Sequence, residues 1–196
     1  MDAIPHPNLL ALIPMLSDQL LPAVLNLGLL AMAAERAQQG LRATALRDPL
    51  TGVWNRAGFE VHSRALIVPG ATILVLHLDH FKQINDRYGH LVGDSVLKAV
   101  AGLAGSEVES LGGEFGRLGG DEFLAVLPAW RAPYAQACAA QIQEACRRYT
   151  SDMPEWTVGL GRATVEHGES TWRDAFLRAD RALYRAKLDG RNTLSE

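Results

Sequence analysis

The 196 residues predict an α/β (α+β) domain built on one mixed, largely antiparallel central sheet flanked by helices. Three observations carry this. Ala71 to Leu78 (ATILVLHL) is a continuous apolar run behind Pro69-Gly70, the pattern of a strand buried inside a sheet. Glu114 to Leu118 and Glu122 to Leu127 bracket Gly119-Gly120, a link short enough to fold the two strands into a hairpin. Helical segments alternate with these strands in the order β-α-α-β-β-α-β-α.

In chain order, residues 1–47 form an apolar segment read as a helical stalk, and residues 48–196 form the domain. Asp18 is the only charge between Leu9 and Ala34. Leu27, Leu30, Ala34, Ala37, Leu41 and Thr44 recur at heptad spacing, which suits a short seam between two helices. Packing on the chain's own domain and membrane association through residues 9–34 are the alternatives. Pro22 and Asn26 interrupt the run, and no positive region precedes it as in a signal peptide. Arg36 and Arg42 would hold the remainder in the cytoplasm if the run did span.

Asp48-Pro49-Leu50-Thr51-Gly52 ends the stalk, since a residue before proline leaves the α region. A helix is expected from Asn55, its N-cap, to Leu66. After the Ala71 strand, helices at Phe81 to Tyr88 and His90 to Ala104 divide at Gly89. Beyond the hairpin come a helix over Ala132 to Tyr149, a strand over Trp156 to Thr164 and a helix from Thr171 to Leu188, stopped by Gly190.

Charge and cysteine content narrow the function. A net charge of −3 argues against nucleic acid or an anionic surface as the main partner. Cys138 and Cys146 lie eight apart in one helix, too far to bridge, and read as buried thiols of a cytosolic protein.

Chemistry concentrates in three segments. Gly119 and Gly120 allow close approach of a phosphate, and Asp121 and Glu122 beside them offer hard oxygen ligands to Mg²⁺. In the block from Leu78 to Asp94, a strand gives way to a helix whose free N–H groups suit a phosphate, with Lys82 adding charge. Asn85 and Asp94 offer an amide and a carboxylate that can read the guanine edge. Lys187 and Arg191, four apart at the end of the last helix, can reach the same phosphates. Each feature taken alone is more often a turn, a cap or a surface charge.

Together they resemble the GGDEF family. The segment DPLTGVWNRAGF (Asp48 to Phe59), the block DHFKQIND…GH..GD, the GGDEF pentapeptide and the tail ALYRAK..GRN follow that family's order and spacing from Asp48 to Asn192. The resemblance implies a nucleotidyl-cyclase, palm-like fold and a diguanylate cyclase: two GTP condense into cyclic di-GMP where two copies face each other. It implies guanine recognition by Asn85 and Asp94. Phosphates would fall to Lys82, Lys187, Arg191 and the backbone leading into Phe81, beside Gly119 and Gly120. Asp121 and Glu122 become the catalytic acids, and His77, Leu78 and Glu122 the surroundings of Mg²⁺ or Mn²⁺. The implied partners are GTP and a second copy, paired through the stalk and the facing sites. The implied location is cytoplasmic, with the inner face of the cell membrane as the variant that residues 9–34 suggest.

Two departures stand out. His77 occupies the strand-end position where active members carry an aspartate, which predicts weaker Mg²⁺ affinity. Ser110-Leu111-Gly112-Gly113 stands where many members carry an inhibitory Arg-x-x-Asp, so neither charge is present. A catalytically degenerate GTP-binding or protein-interaction module is the competing expectation.

Overall fold

The computed structural model describes residues 22–32, 46–149, 154–169, 171–188 and 194–195. The chain divides into two compact units, residues 1–44 and 45–196. In the first, residues 22–32 are helical and are labelled α1. Its Leu27 and Leu30, the described part of the heptad seam, are 70% and 68% exposed. The seam's other four residues lie outside the described residues. No helix among the described residues is long and apolar enough to cross a membrane.

The second unit holds a six-stranded sheet. Its strands are β1 (Trp54–Asn55), β2 (Thr72–Leu78), β3 (Glu114–Gly119), β4 (Glu122–Leu127), β5 (Val158–Thr164) and β6 (Leu194–Ser195). They lie in the order β1-β3-β4-β2-β5-β6. The inner pairings are antiparallel, and the two-residue edges β1 and β6 pair in parallel. The helices are α2 (Arg56–His62), α3 (Phe81–Tyr88), α4 (His90–Ser110), α5 (Ala135–Arg148) and α6 (Trp172–Leu188).

β2 is central because both its faces are apolar. Leu74, Leu76 and Leu78 join α3, α4 and α5 in one core. Ile73 and Val75 point the other way and join Phe59, Trp172, Ala179 and Leu183 of α2 and α6 in a second. This alternation along one strand yields helices on both faces of the sheet. α6 lies in backbone contact with β5: a Cβ at Gly161 would overlap the Ala179 carbonyl. That contact fixes where α6 sits against the sheet.

The structure redraws several expected boundaries. Asn55 caps α2 as expected, its side chain accepting from Gly58 N at 2.9 Å. The helix then tightens to a 3₁₀ turn at Ser63–Leu66, turning Leu66 and Ile67 onto the second core. Pro133, with no N–H to donate, places a second 3₁₀ turn (Ala129–Tyr134) ahead of α5. α4 runs six residues past Ala104, because Gly105 and Val108 continue its buried face. β5 starts at Val158 and not Trp156, since the Thr157 carbonyl accepts from Asp79 N (2.9 Å) instead of a ladder partner.

Both cysteines are buried free thiols. Burial pushes Cys138 up to about 11, with Glu107 adding to it, and Cys146 up to about 12. Thiols so raised are inert at neutral pH.

Candidate active site

The site begins where β2 ends. In the β2–β4 ladder His77 stands directly opposite Glu122, so the two side chains share a sheet face. The His77 ring is partly exposed and also makes contacts within the site. Its Nδ1 lies 2.9 Å from the Leu78 carbonyl and 3.1 Å from Asp121 Oδ2. Both neighbours only accept, so Nδ1 carries the proton in this arrangement. Glu122 is half-buried. Burial raises its carboxyl above the ordinary range, Asp180 on α6 and Asp121 push it further, and His77 and Arg56 pull against that. Asp121, Glu122 and Asp180 thus gather negative charge at one edge.

Among the described residues no group of three or more His, Cys, Asp or Glu is placed to hold a metal ion. Mg²⁺ commonly takes only one or two carboxylates from protein and completes its shell with waters and substrate phosphates. Burial and two more acids act on the Glu122 carboxyl against only partial compensation by His77 and Arg56, a repulsion that a divalent cation would relieve. The donors fit a cation that arrives with a nucleotide.

Beyond Leu78 the chain turns sharply. Asp79 is 5% exposed, its Oδ2 accepts from Thr157 Oγ1 at 2.7 Å, and its Oδ1 has no hydrogen-bond partner among the described residues. His80 adopts the left-handed conformation (φ 56°), uncommon for a residue with a side chain, and α3 begins at Phe81. No side chain caps α3, which leaves the first-turn N–H groups beside Lys82 open to an acceptor. α3 ends at Gly89 (φ 85°), and α4 follows at once, folding back on α3. The fold-back brings Gly93 so close to Asn85 that a Cβ there would overlap the Asn85 side-chain oxygen. Asp94 follows directly on the same helix.

The hairpin carries positive φ at Gly119 (150°) and Gly120 (54°), with a register shift between Arg117 and Gly119. Arg117 fixes this turn. It donates to the Gly120 carbonyl from Nε (2.9 Å) and Nη2 (2.6 Å), and from Nη1 to Asp48 Oδ1 (3.0 Å). Burial pushes the Asp48 carboxyl up, but bonds from the Thr51 side chain and backbone and the Arg117 cation outweigh it and hold the carboxyl below its ordinary value. A carboxyl depressed by folding stabilises above its unfolded pKa, and the gain is lost as pH falls through the folded pKa. Asp48→Asn is therefore expected to cost about 2 kcal/mol near neutrality. The gap to the unaltered chain should close as pH drops below about 4, measured by urea unfolding across that range.

A family model described as "Diguanylate cyclase, GGDEF domain" matches residues 45–193. The chain belongs to the GGDEF domain family. It is 34% identical over 158 residues to the probable diguanylate cyclase DgcT of Escherichia coli, covering 76% of this chain and 35% of DgcT. To the diguanylate cyclase DgcP of Pseudomonas aeruginosa it is 37% identical over 163 residues, covering 78% of this chain and 24% of DgcP. The chain thus spans about a quarter to a third of these relatives' lengths. Among solved structures, the coiled coil and GGDEF domain of Caulobacter crescentus DgcB, in complex with c-di-GMP, matches with a TM-score of 0.79 at 27% identity. That match covers 90% of this chain and 98% of that one.

Within this GGDEF domain, the ladder brings His77 opposite Glu122, with Leu78 and Asp121 touching the ring. Phe81, Lys82 and Asn85 follow on α3, and Asp94 on α4. Lys187 stands two turns beyond Asp180 on α6, and so on the same flank. Arg191 lies outside the described residues. Four contributors escaped the sequence reading. Asp79 closes an apolar run as a lone carboxylate, a signal that was present. Gly93 and Asp180 reveal themselves only when helices are packed. The Asp48 bond to Arg117 spans 69 residues and leaves no local trace.

Proposed function

We infer that this chain is a diguanylate cyclase module that condenses two GTP into cyclic di-GMP. The observation that carries the reading is the continuous edge formed by Glu122, the β2 end and the uncapped start of α3, which sets an acidic cluster beside phosphate-binding groups. Asn85 and Asp94 read the guanine base. Lys82, Lys187, Arg191 and the backbone from Asp79 to Phe81 hold the triphosphate. Gly119 and Gly120 leave room for it to approach.

Glu122 and the Leu78 carbonyl, with His77 beside them, would hold Mg²⁺ or Mn²⁺. When bound, such a cation lowers the pKa of the attacking hydroxyl and offsets charge on the departing pyrophosphate. Asp121 and Glu122 orient that region. Each 3′-OH attacks the α-phosphate of the GTP in the facing copy, and each attack releases one pyrophosphate. One copy holds one GTP, so the reaction needs two.

The exposed leucines of α1 support pairing through a stalk of residues 1–47 ahead of a domain of 48–196. Membrane-surface attachment through residues 9–34 is the competing use, and vesicle co-sedimentation against analytical centrifugation separates the two. The domain itself works in the cytoplasm, where GTP is available. Neither Ser110, whose hydroxyl donates to the Glu107 carbonyl, nor Gly113 carries a charge, so cyclic di-GMP has no inhibitory grip there.

Purified chain incubated with GTP and Mg²⁺, and in parallel with Mn²⁺, is expected to yield cyclic di-GMP. GTP binding without product under either metal would favour a degenerate GTP-binding or protein-interaction module. His77, with its proton directed at the Leu78 carbonyl, is the feature that points that way. A finer check lies at Gly93. Because a methyl there would displace the Asn85 side-chain oxygen and press on the edge of the Phe81 ring (3.3 Å), both of them side-chain atoms, Gly93→Ala should cost only modest stability. It should weaken GTP binding about tenfold, the loss of one or two base hydrogen bonds, as read by calorimetry.

A further inference from the structure

β2 and β5 run antiparallel as far as the pair Leu78 and Val158, where the ladder ends. One residue further, Asp79 and Thr157 are joined by two bonds of different kinds. Asp79 N donates to the Thr157 carbonyl at 2.9 Å, and Thr157 Oγ1 donates to Asp79 Oδ2 at 2.7 Å. The pair closes the sheet across 78 residues of chain, immediately ahead of α3.

The junction holds the turn into α3. His80, next to Asp79, is left-handed, a conformation that a residue with a Cβ keeps only where its neighbours impose it. His80 is itself exposed and supplies no capping bond. On the C-terminal side the turn is tied by Ile84 N, which donates to the His80 carbonyl at 3.1 Å. On the N-terminal side it is tied by the two bonds to Thr157. Between these ties the open N–H groups at the start of α3 keep one direction.

Thr157 also satisfies a costly group. The Asp79 carboxylate is buried, and its Oδ1 has no hydrogen-bond partner among the described residues. A Cβ at Gly159 would stand 3.7 Å from that oxygen, so the β5 residue nearest to it brings no side-chain donor. Without the Thr157 hydroxyl, Oδ2 would lose its 2.7 Å bond as well. A buried carboxylate short of donors moves toward water, and the turn beside it moves too.

We propose that Thr157 is a positioning residue for the phosphate-binding turn: it fixes Asp79, and Asp79 fixes His80 and the open start of α3. This role rests on the reading of that turn as the seat of the triphosphate.

The test uses the full chain without divalent metal, followed through its amide resonances. Thr157→Val keeps the shape and removes the hydroxyl. The Asp79 and Ile84 amide protons are expected to exchange about tenfold faster than in the parent, while those of Leu74 and Val100 in the core keep their rates. The Kd for GTP should rise about tenfold, and the Kd for guanosine, which has no phosphate, should stay within about twofold. Thr157→Ser, which keeps the hydroxyl, should restore most of both effects. If the valine variant does not fold, Thr157→Ala gives the same comparison. Unchanged exchange at Asp79 and Ile84, uniform acceleration that includes the core, equal weakening of GTP and guanosine, or a serine variant that behaves like valine would each overturn the proposal. A parent chain that binds no GTP would sink the triphosphate reading alone, and the exchange rates would still decide whether Thr157 holds the turn.

Discussion

Glu122→Gln is expected to lower cyclic di-GMP formation by about three orders of magnitude while GTP binding without metal changes little. The two effects separate because Glu122 stands at the acidic edge, whereas Asn85 and Asp94, proposed to read the base, stand on α3 and α4. Glutamine keeps the shape and one acceptor oxygen, so what it removes is charge. That charge is costly to hold: burial and the neighbouring Asp180 and Asp121 all raise the Glu122 carboxyl. A folded protein keeps such a group where a bound cation offsets the repulsion. The apo variant should accordingly be no less stable than the parent, since a repelled carboxylate has become neutral. Product quantified by liquid chromatography and melting temperature measured without metal check both halves. Near-parental turnover would remove Glu122 from the catalytic edge.

How much of this could be read from the sequence depends on the range of the interaction involved. The apolar run of β2 and the glycine link of the hairpin are local patterns, and both stand where the sequence put them. Asn55 capping α2 is equally local. β1 and β6 were not anticipated: two residues show no alternation, and each is a strand only because a neighbour offers its edge. The division of the helix expected over Ala132 to Tyr149 has a local cause in Pro133, which cannot donate an N–H. In the site, the motif order assigned side chains to strand ends and helix starts. What it could not give were the couplings set by register and packing. The contact of His77 with Asp121, the action of Asp180 on Glu122 and the closeness of Gly93 to Asn85 each join residues on different elements.

Of these couplings the one at His77 has the clearest consequence. His77→Asp is expected to raise Mg²⁺-dependent product formation at least tenfold and to narrow any advantage of Mn²⁺ over Mg²⁺. An aspartate there stands opposite Glu122 in the ladder, so a second carboxylate faces the same edge. The substitution also releases the Leu78 carbonyl and Asp121 from the imidazole N–H. Both changes add hard oxygen donors, which Mg²⁺ prefers to imidazole. They carry a cost in the metal-free protein. Glu122 loses the His77 contribution that lowers its pKa and gains a like charge directly across the ladder. About 1 kcal/mol of such repulsion lowers the melting temperature by about 2–4 °C in a chain of this size. Metal and nucleotide together should restore it, because ligands that bind only the folded state stabilise it. Gain of activity and loss of apo stability in one variant would identify His77 as a substitution that relieves the empty acidic edge at the expense of cation affinity. A variant that melts lower yet turns over no faster would instead place the limiting defect elsewhere in the site.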